Sequence, residues 1–342
     1  MIYVVIVFLW VALLLYLVMG GADFGAGIIE LFTSSPNKSR TRRVMYNAIG
    51  PIWEANHMWL IIAIVILFVG FPVIYATMST YLHIPLTIML MGIIARGTAL
   101  TFRNYDAVND NMQKVYNKIF VYSSFITPLF LGIIAGSTVS GRVDPDATNF
   151  LDAYIYSWLN WFSVAIGFFT TSLCGYLAAV YLIGESTEDL ERRSFIRKAR
   201  LMNVAAVLSG IAVFIASISE KIPLIQWVFG NIIGIAAVAL ATISLVLMWM
   251  FIAKGKRYII RVLAGFQVTM ILLTTTYKHY PNIIILKNGK YLSLIGNRGA
   301  DKAIEALGIA LLVGSVFILP ALVYLIWSFQ KKKGVANNES YH

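Results

Sequence analysis

Charge is scarce in this chain of 342 residues. Asp, Glu, Lys and Arg together make up 13% of it, about half the ~25% of a soluble domain, which is too little to cover a water-facing surface. Cysteine is nearly missing: Cys174 stands alone, so no internal disulfide can form and a disulfide scaffold is excluded. A lone Cys on an apolar stretch is a small packing residue. Nine prolines and 25 glycines without a repeat exclude a collagen-like chain. The sequence has no Gly-rich phosphate loop, no CxxC pair and no nucleophile elbow, so nothing marks catalysis on a soluble substrate.

What is abundant is apolar sequence, at 59% of the residues with a mean hydropathy of +0.77. The chain reads as an all-α polytopic membrane protein. Its formal charge of +11 then reflects Lys and Arg gathered in cytoplasmic loops, and no nucleic-acid partner is expected. The first apolar run has no basic segment before it and continues to Gly20 and beyond. It is expected to stay as the first span and not to be cleaved as a leader.

A stretch of about 20 apolar residues crosses a bilayer core of about 30 Å. On that measure nine transmembrane helices are expected, near 2–32, 48–70, 74–100, 116–139, 155–183, 202–219, 224–252, 258–277 and 303–329. Tight joints fall at Gly70-Phe-Pro72 and Ser219-Glu-Lys-Ile-Pro223. Residues 1–330 form one transmembrane domain, and residues 331–342 a polar cytoplasmic tail that should fray. With the 33–47 loop inside, nineteen of the 27 basic residues fall on the cytoplasmic side, seven outside, and Arg96 within a span. This bias sets the N-terminus outside and the C-terminus cytoplasmic. The external 278–302 segment breaks the rule with Lys278, Lys287, Lys290, Arg298 and Lys302, which points to packing on a partner or on lipid headgroups. In the 184–200 loop, Ser186 with Asp189 three residues on predicts the start of a short surface helix.

Ionisable groups at membrane depth cost about 2.5–3.5 kcal/mol each on insertion scales, so they face protein, water or one another. Three stand out: Asp23, Glu54 and Arg96. Counting helical rise from the cytoplasmic ends gives depths of roughly 15, 9 and 7 Å respectively. All three therefore fall in the cytoplasmic half of consecutive helices. Gly20, Asp23 and Gly27 share one helix face by spacing, and glycines there let a neighbouring helix approach. His57 lies one turn from Glu54 on the same face, and Gly50-Pro51 loosens the helix just before them, which favours trapped water. A buried carboxyl without a cation beside it is harder to ionise, so it can exchange protons near neutral pH. Two bland alternatives stand beside this one: a static Asp23–Arg96 ion pair, and Glu54 bonded to a backbone amide.

Haem iron takes axial ligands from His, Met or Cys. His57, His83 and His279 and twelve methionines are present, but lone histidines on separate spans make a weak case. No haem is expected to be ligated by this chain.

Gly-Ala-Asp-Phe-Gly-Ala-Gly ending at Gly27, then Gly-Pro-Ile-Trp-Glu-Ala-Asn-His-Met-Trp-Leu-Ile from Gly50 to Ile61, resemble subunit II of the cytochrome bd-type quinol oxidases. Arg96-Gly-Thr-Ala-Leu-Thr-Phe-Arg-Asn-Tyr105 and Tyr280-Pro281 extend the likeness, and so do the length and the nine-span layout. The resemblance implies a complex that oxidises membrane quinol and reduces dioxygen to water, taking protons from the cytoplasm. A larger homologous subunit I carries the quinol site, two b haems and one d haem. This chain packs on it through helix bundles as an obligate partner with no activity of its own. Small single-span subunits, lipid and a structural quinone also occur in the family. The family's acidic positions in the first two spans map onto Asp23 and Glu54, with Arg96 and His57 as supporting residues of a proton path. Some relatives carry an amide side chain at the His57 position, so a required histidine does not follow.

Without the resemblance, a proton-coupled secondary transporter using the same carboxyls is the other reading. Such a transporter built from inverted repeats shows paired broken helices in its two halves. Here the intramembrane charges crowd into the first three spans, with no matching set in spans five to eight.

Overall fold

The computed structural model describes residues 1–34, 37–49, 53–105, 110–186 and 188–339. The first span is one continuous rod made of α1 (Ile2–Leu15), a π-helical segment (Tyr16–Gly20) and α2 (Gly21–Leu31). It is followed by α3 (Lys38–Ile49), α4 (Trp53–Gly70), α5 (Pro72–Tyr81), α6 (His83–Tyr105) and α7 (Asp110–Val139). Next come α8 (Phe150–Tyr154), α9 (Trp161–Glu185), α10 (Asp189–Ser219), α11 (Leu224–Phe229), α12 (Ile232–Ala253) and α13 (Arg257–His279). A hairpin of β1 (Asn282–Ile285) and β2 (Tyr291–Ser293) precedes α14 (Asp301–Glu339). Among the described residues, nine helices are long and apolar enough to cross a membrane, in line with the nine spans expected.

The helix starts follow local chemistry. Asn160 caps α9 by accepting a hydrogen bond from the Ser163 amide at 2.8 Å, and Asn231 caps α12 through the Ile233 amide at 3.2 Å. Each satisfies an amide that the first turn leaves without a partner. Gly70 ends α4, and Pro72 opens α5 at a first-turn position where its missing N–H costs nothing.

Several boundaries differ from expectation. The third span begins at His83, not at 74, because a second break at Leu82 separates α5 from α6. Pro85 in the first turn of α6 explains that start. The segment 184–200 does not hold a separate surface helix: α10 runs unbroken through 31 residues. Its buried stripe Glu191, Phe195, Ala199, Met202 and Ala206 follows helical spacing across the expected boundary. Ser186 does not cap it, since its hydroxyl donates to the Leu182 carbonyl at the end of α9. The seventh span starts at Ile232, with α11 set apart before it. The last helix continues through Glu339, past the point where fraying was expected.

Helix α9 is the hub, lying against α2, α7, α10 and α13. Its contact with α2 depends on Gly25: an added Cβ would lie 1.9 Å from the Cys174 carbonyl oxygen. With no solvent to drive helices together in a bilayer, such close backbone packing supplies the attraction. Gly27 does the same toward α7, where a Cβ would meet Ser124 at 2.2 Å. Gly20 does not admit a neighbour; its open side lies under the ring of Tyr16, which an added Cβ would meet at 3.0 Å.

Two large apolar clusters result, beside a smaller one around Phe162, Val213 and Leu224. One joins α2, α9, α10, α12 and α13, with Val44 and Met45 of α3 closing one end. The other joins α1, α4 and α6 with the hairpin residues Ile284, Leu286 and Leu294. The 278–302 segment therefore packs on this chain itself. The Lys287 amide donates to the Val143 carbonyl at 2.9 Å, the Gly299 amide to the Gly70 carbonyl at 2.8 Å, and Lys287 pairs with Asp144 at 2.8 Å.

Candidate proton site

Asp23 and Arg96 meet. Arg96 is 1% exposed, and so is Asp23. The guanidinium holds both carboxylate oxygens of Asp23, at 2.6 and 2.9 Å, and reaches its backbone carbonyl at 3.1 Å. Its remaining Nε donates to the Ser124 hydroxyl at 3.0 Å, and its flat faces lie 5.1 Å from the rings of Phe24 and Phe120. A forked guanidinium matches a carboxylate in this way, which a lysine would not. The ion pair weighed as one alternative in the sequence is therefore present, and it links α2, α6 and α7.

His57 on α4 stands beside the pair, with Nε2 3.7 Å from Asp23. Its ring is wedged among Tyr16, Phe24 and Trp53, at centroid distances of 6.1, 5.6 and 6.2 Å. Glu54 does not join them. It occupies the first turn of α4, is exposed, and has no ion-pair or hydrogen-bond partner among the described residues. Neither the shared burial expected of it nor the backbone-amide alternative is seen. A carboxylate in a first turn is favoured by the helix dipole. The Gly50-Pro51 loosening lies outside the described residues.

Sequence reasoning passed over a second buried carboxylate. Glu30, at the end of α2, is fully buried and pairs with Arg42 of α3 at 2.5 Å and Arg103 of α6 at 3.1 Å. Phe120 lies between the guanidiniums of Arg96 and Arg103. More pairs fasten the same end of the bundle: Glu188 and Glu191 to Arg40, and Glu185 to Arg261. Helix α3 is thus a charged strap across the helix ends.

The π-helical turn was also not foreseen. Such turns break regular hydrogen bonding and recur at functional sites. Here the turn ends three residues before Asp23.

The three described histidines have protein neighbours of their own. His57 is enclosed by rings, Nδ1 of His83 bonds the Thr80 carbonyl at 2.8 Å, and His279 packs edge-on to Trp227 at 4.3 Å. They stand on three different helices.

A buried ion pair, a half-buried histidine and an exposed carboxyl can hold charge and pass protons, but they offer no redox centre. The family model for cytochrome bd terminal oxidase subunit II matches residues 1–329. The chain belongs to this family. It is thus a subunit of an oxidoreductase complex of the respiratory chain, and a multi-pass protein of the cytoplasmic membrane. The subunit is 26% identical over 333 residues to cytochrome bd ubiquinol oxidase subunit 2 of Bacillus subtilis, covering 95% of this chain and 96% of the relative. It is 25% identical over 200 residues to cytochrome bd-I ubiquinol oxidase subunit 2 of Escherichia coli K12, covering 56% and 52%. Its fold matches the bd oxidase from Geobacillus thermodenitrificans with a TM-score of 0.74 at 18% identity, over 96% of this chain and 98% of that one.

Proposed function

We propose that this subunit is the non-haem partner in a quinol oxidase and that it opens a proton-uptake path from the cytoplasm. Quinol would be oxidised and dioxygen reduced to water on a larger homologous subunit I, which in the family carries two b haems and one d haem. Making water consumes protons as well as electrons. The loop charges favour a cytoplasmic 33–47 end, and the Asp23 and Glu54 carboxyls lie toward that end of their helices.

The observation that carries the reading is the contrast between these two carboxyls. Glu54 is exposed on this chain's own surface with no described partner, one turn from His57. A carboxyl so placed can gain and lose a proton without breaking the fold. Asp23 is different: the Arg96 guanidinium donates two hydrogen bonds to its carboxylate, and parting them would leave both charges buried and unpaired. Asp23 therefore acts as a fixed negative charge beside the path, and Glu54 is the group that alternates between charged and neutral.

The assembled complex tests this. Glu54→Gln keeps shape and hydrogen bonding but cannot titrate, so quinol oxidase turnover per haem should fall at least tenfold with haem content intact. Glu54→Asp should keep partial activity. Full turnover in Glu54→Gln would remove Glu54 from the mechanism. A haem-free preparation that moves a solute with protons would favour the transporter instead.

A further inference from the structure

Among the described residues, four polar side-chain atoms have no hydrogen-bond partner near the seam where the π segment packs against α4. They are Tyr16 Oη, Asn56 Oδ1, His57 Nδ1 and Trp59 Nε1. Tyr16 is 2% exposed, Asn56 3% and Trp59 6%. Elsewhere in the core, a comparable buried hydroxyl is satisfied: Tyr176 bonds Gln267 at 2.9 Å. Buried polar groups without partners are rare in proteins, and at membrane depth bulk water cannot supply the missing bond.

The chemistry of the four atoms narrows what meets them. Trp59 Nε1 only donates, Asn56 Oδ1 only accepts, and the Tyr16 hydroxyl and His57 Nδ1 can do either. A cation would meet an N–H donor, and an anion would meet a carbonyl oxygen. Water both donates and accepts, and buried waters typically make about three hydrogen bonds. The π turn explains why Tyr16 takes part. It carries the Tyr16 ring over Gly20, where a Cβ would come within 3.0 Å of that ring, and sets it edge-on to Phe24 at 6.2 Å. From there the ring lies 6.1 Å from that of His57, whose Nε2 is 3.7 Å from Asp23.

We infer that the seam between the π segment and α4 is a water-binding site, and that Tyr16 is the positioning residue that holds a bound water beside His57 and the Asp23–Arg96 pair. The consequence for turnover rests on the uptake path proposed above; the water site itself does not. In that path an incoming proton forms a bond to the water oxygen as one of the water's own O–H bonds breaks on the far side. Atoms and charge balance, and the tyrosine keeps its proton.

Radiolytic footprinting of the intact native complex in H2(18)O tests the site without any variant. Water activated in place labels the side chains it touches, so Tyr16 and Trp59 should take up 18O well above the level of Tyr176, although all three are buried. Labelling no higher than that of Tyr176 would overturn the site. Tyr16→Phe then tests positioning, because it removes the hydroxyl and leaves the ring on Gly20. Haem content and melting temperature should be unchanged, turnover per haem should fall about fivefold, and the solvent deuterium isotope effect should rise. Native turnover with a native isotope effect in Tyr16→Phe would overturn the positioning role. Labelled Tyr16 together with full turnover in Glu54→Gln would leave the water site standing and sink only the uptake path.

Discussion

The end of the bundle under α3 and the seam between the π segment and α4 handle polar groups in opposite ways. Under α3 each buried carboxylate has its cation: Glu30 faces Arg42 and Arg103, and Glu191 faces Arg40 and Arg43. At the seam, Tyr16, Asn56, His57 and Trp59 present atoms with no partner among the described residues, and Glu54 stands exposed on the same helix. Closed pairs fix helices at a membrane surface. Open polar groups, on the proposed uptake path, leave room for protons to move. Asp23 lies between the two: it is closed by Arg96 on one side and approached by His57 on the other.

The largest effect should come from opening that boundary. Arg96→Met leaves the Asp23 charge buried without a partner, and Asp23→Asn strands Arg96 in the same way. Breaking a buried pair from one side costs about 3–5 kcal/mol. Either variant should lose the haem-containing complex from membranes, measured as haem per unit of this subunit, so activity disappears with assembly. An Asp23→Asn complex that assembles fully but does not turn over would instead make Asp23 a carrier in series with Glu54. The double variant Asp23→Asn with Glu54→Gln would then be little worse than the worse single one.

A smaller effect is expected under α3. Glu30→Gln removes a charge shared by two arginines, both closer to water than Arg96. Stability should fall by about 1–3 kcal/mol, the cost of leaving a buried group without its partner, seen as a lower melting temperature of the complex. Turnover per assembled haem should stay near native. A tenfold loss there, with haem content intact, would erase the contrast between the two regions and draw Glu30 into the proton path.

These contrasts were partly legible in the sequence. Asp23 and Arg96 are conspicuous because a charge deep in an apolar run has few affordable surroundings, and short connections bring their helices together. Glu30 was not conspicuous, since a carboxylate two residues from a span's end can reach water. Its burial depends on α3 folding back with Arg42, a contact no local pattern encodes. The separate α5 was hidden by continuous apolar sequence over 72–100, although Pro85 marked a helix start. The unbroken α10 was hidden because a charged stretch resembles a loop, while its buried stripe kept helical spacing throughout. The π turn left no signature, since Tyr-Leu-Val-Met-Gly suits an α-helix equally well.

The smallest effect should be at the opposite end of the molecule, where an ion pair is exposed. Asp144 and Lys287 join the 141–146 turn to the β-hairpin at 2.8 Å. The hydrogen bond from Lys287 holds the Asp144 carboxyl below its ordinary range, and the same bond raises Lys287. A carboxyl that is more acidic in the folded state stabilises it fully above the ordinary carboxylate pKa of about 3.9. That contribution is lost as pH falls through the folded value. Hydrogen exchange of the 282–294 segment should therefore speed up as pH falls below about 4 relative to an Asp144→Asn complex at each pH, and the two should converge at the acid end. Exposed pairs are weak and screened by salt, so the difference should shrink further in high salt. If Asp144→Asn instead released the hairpin or lowered haem content at pH 7, this exposed pair would rank with the buried ones, and burial would no longer explain how much each pair contributes.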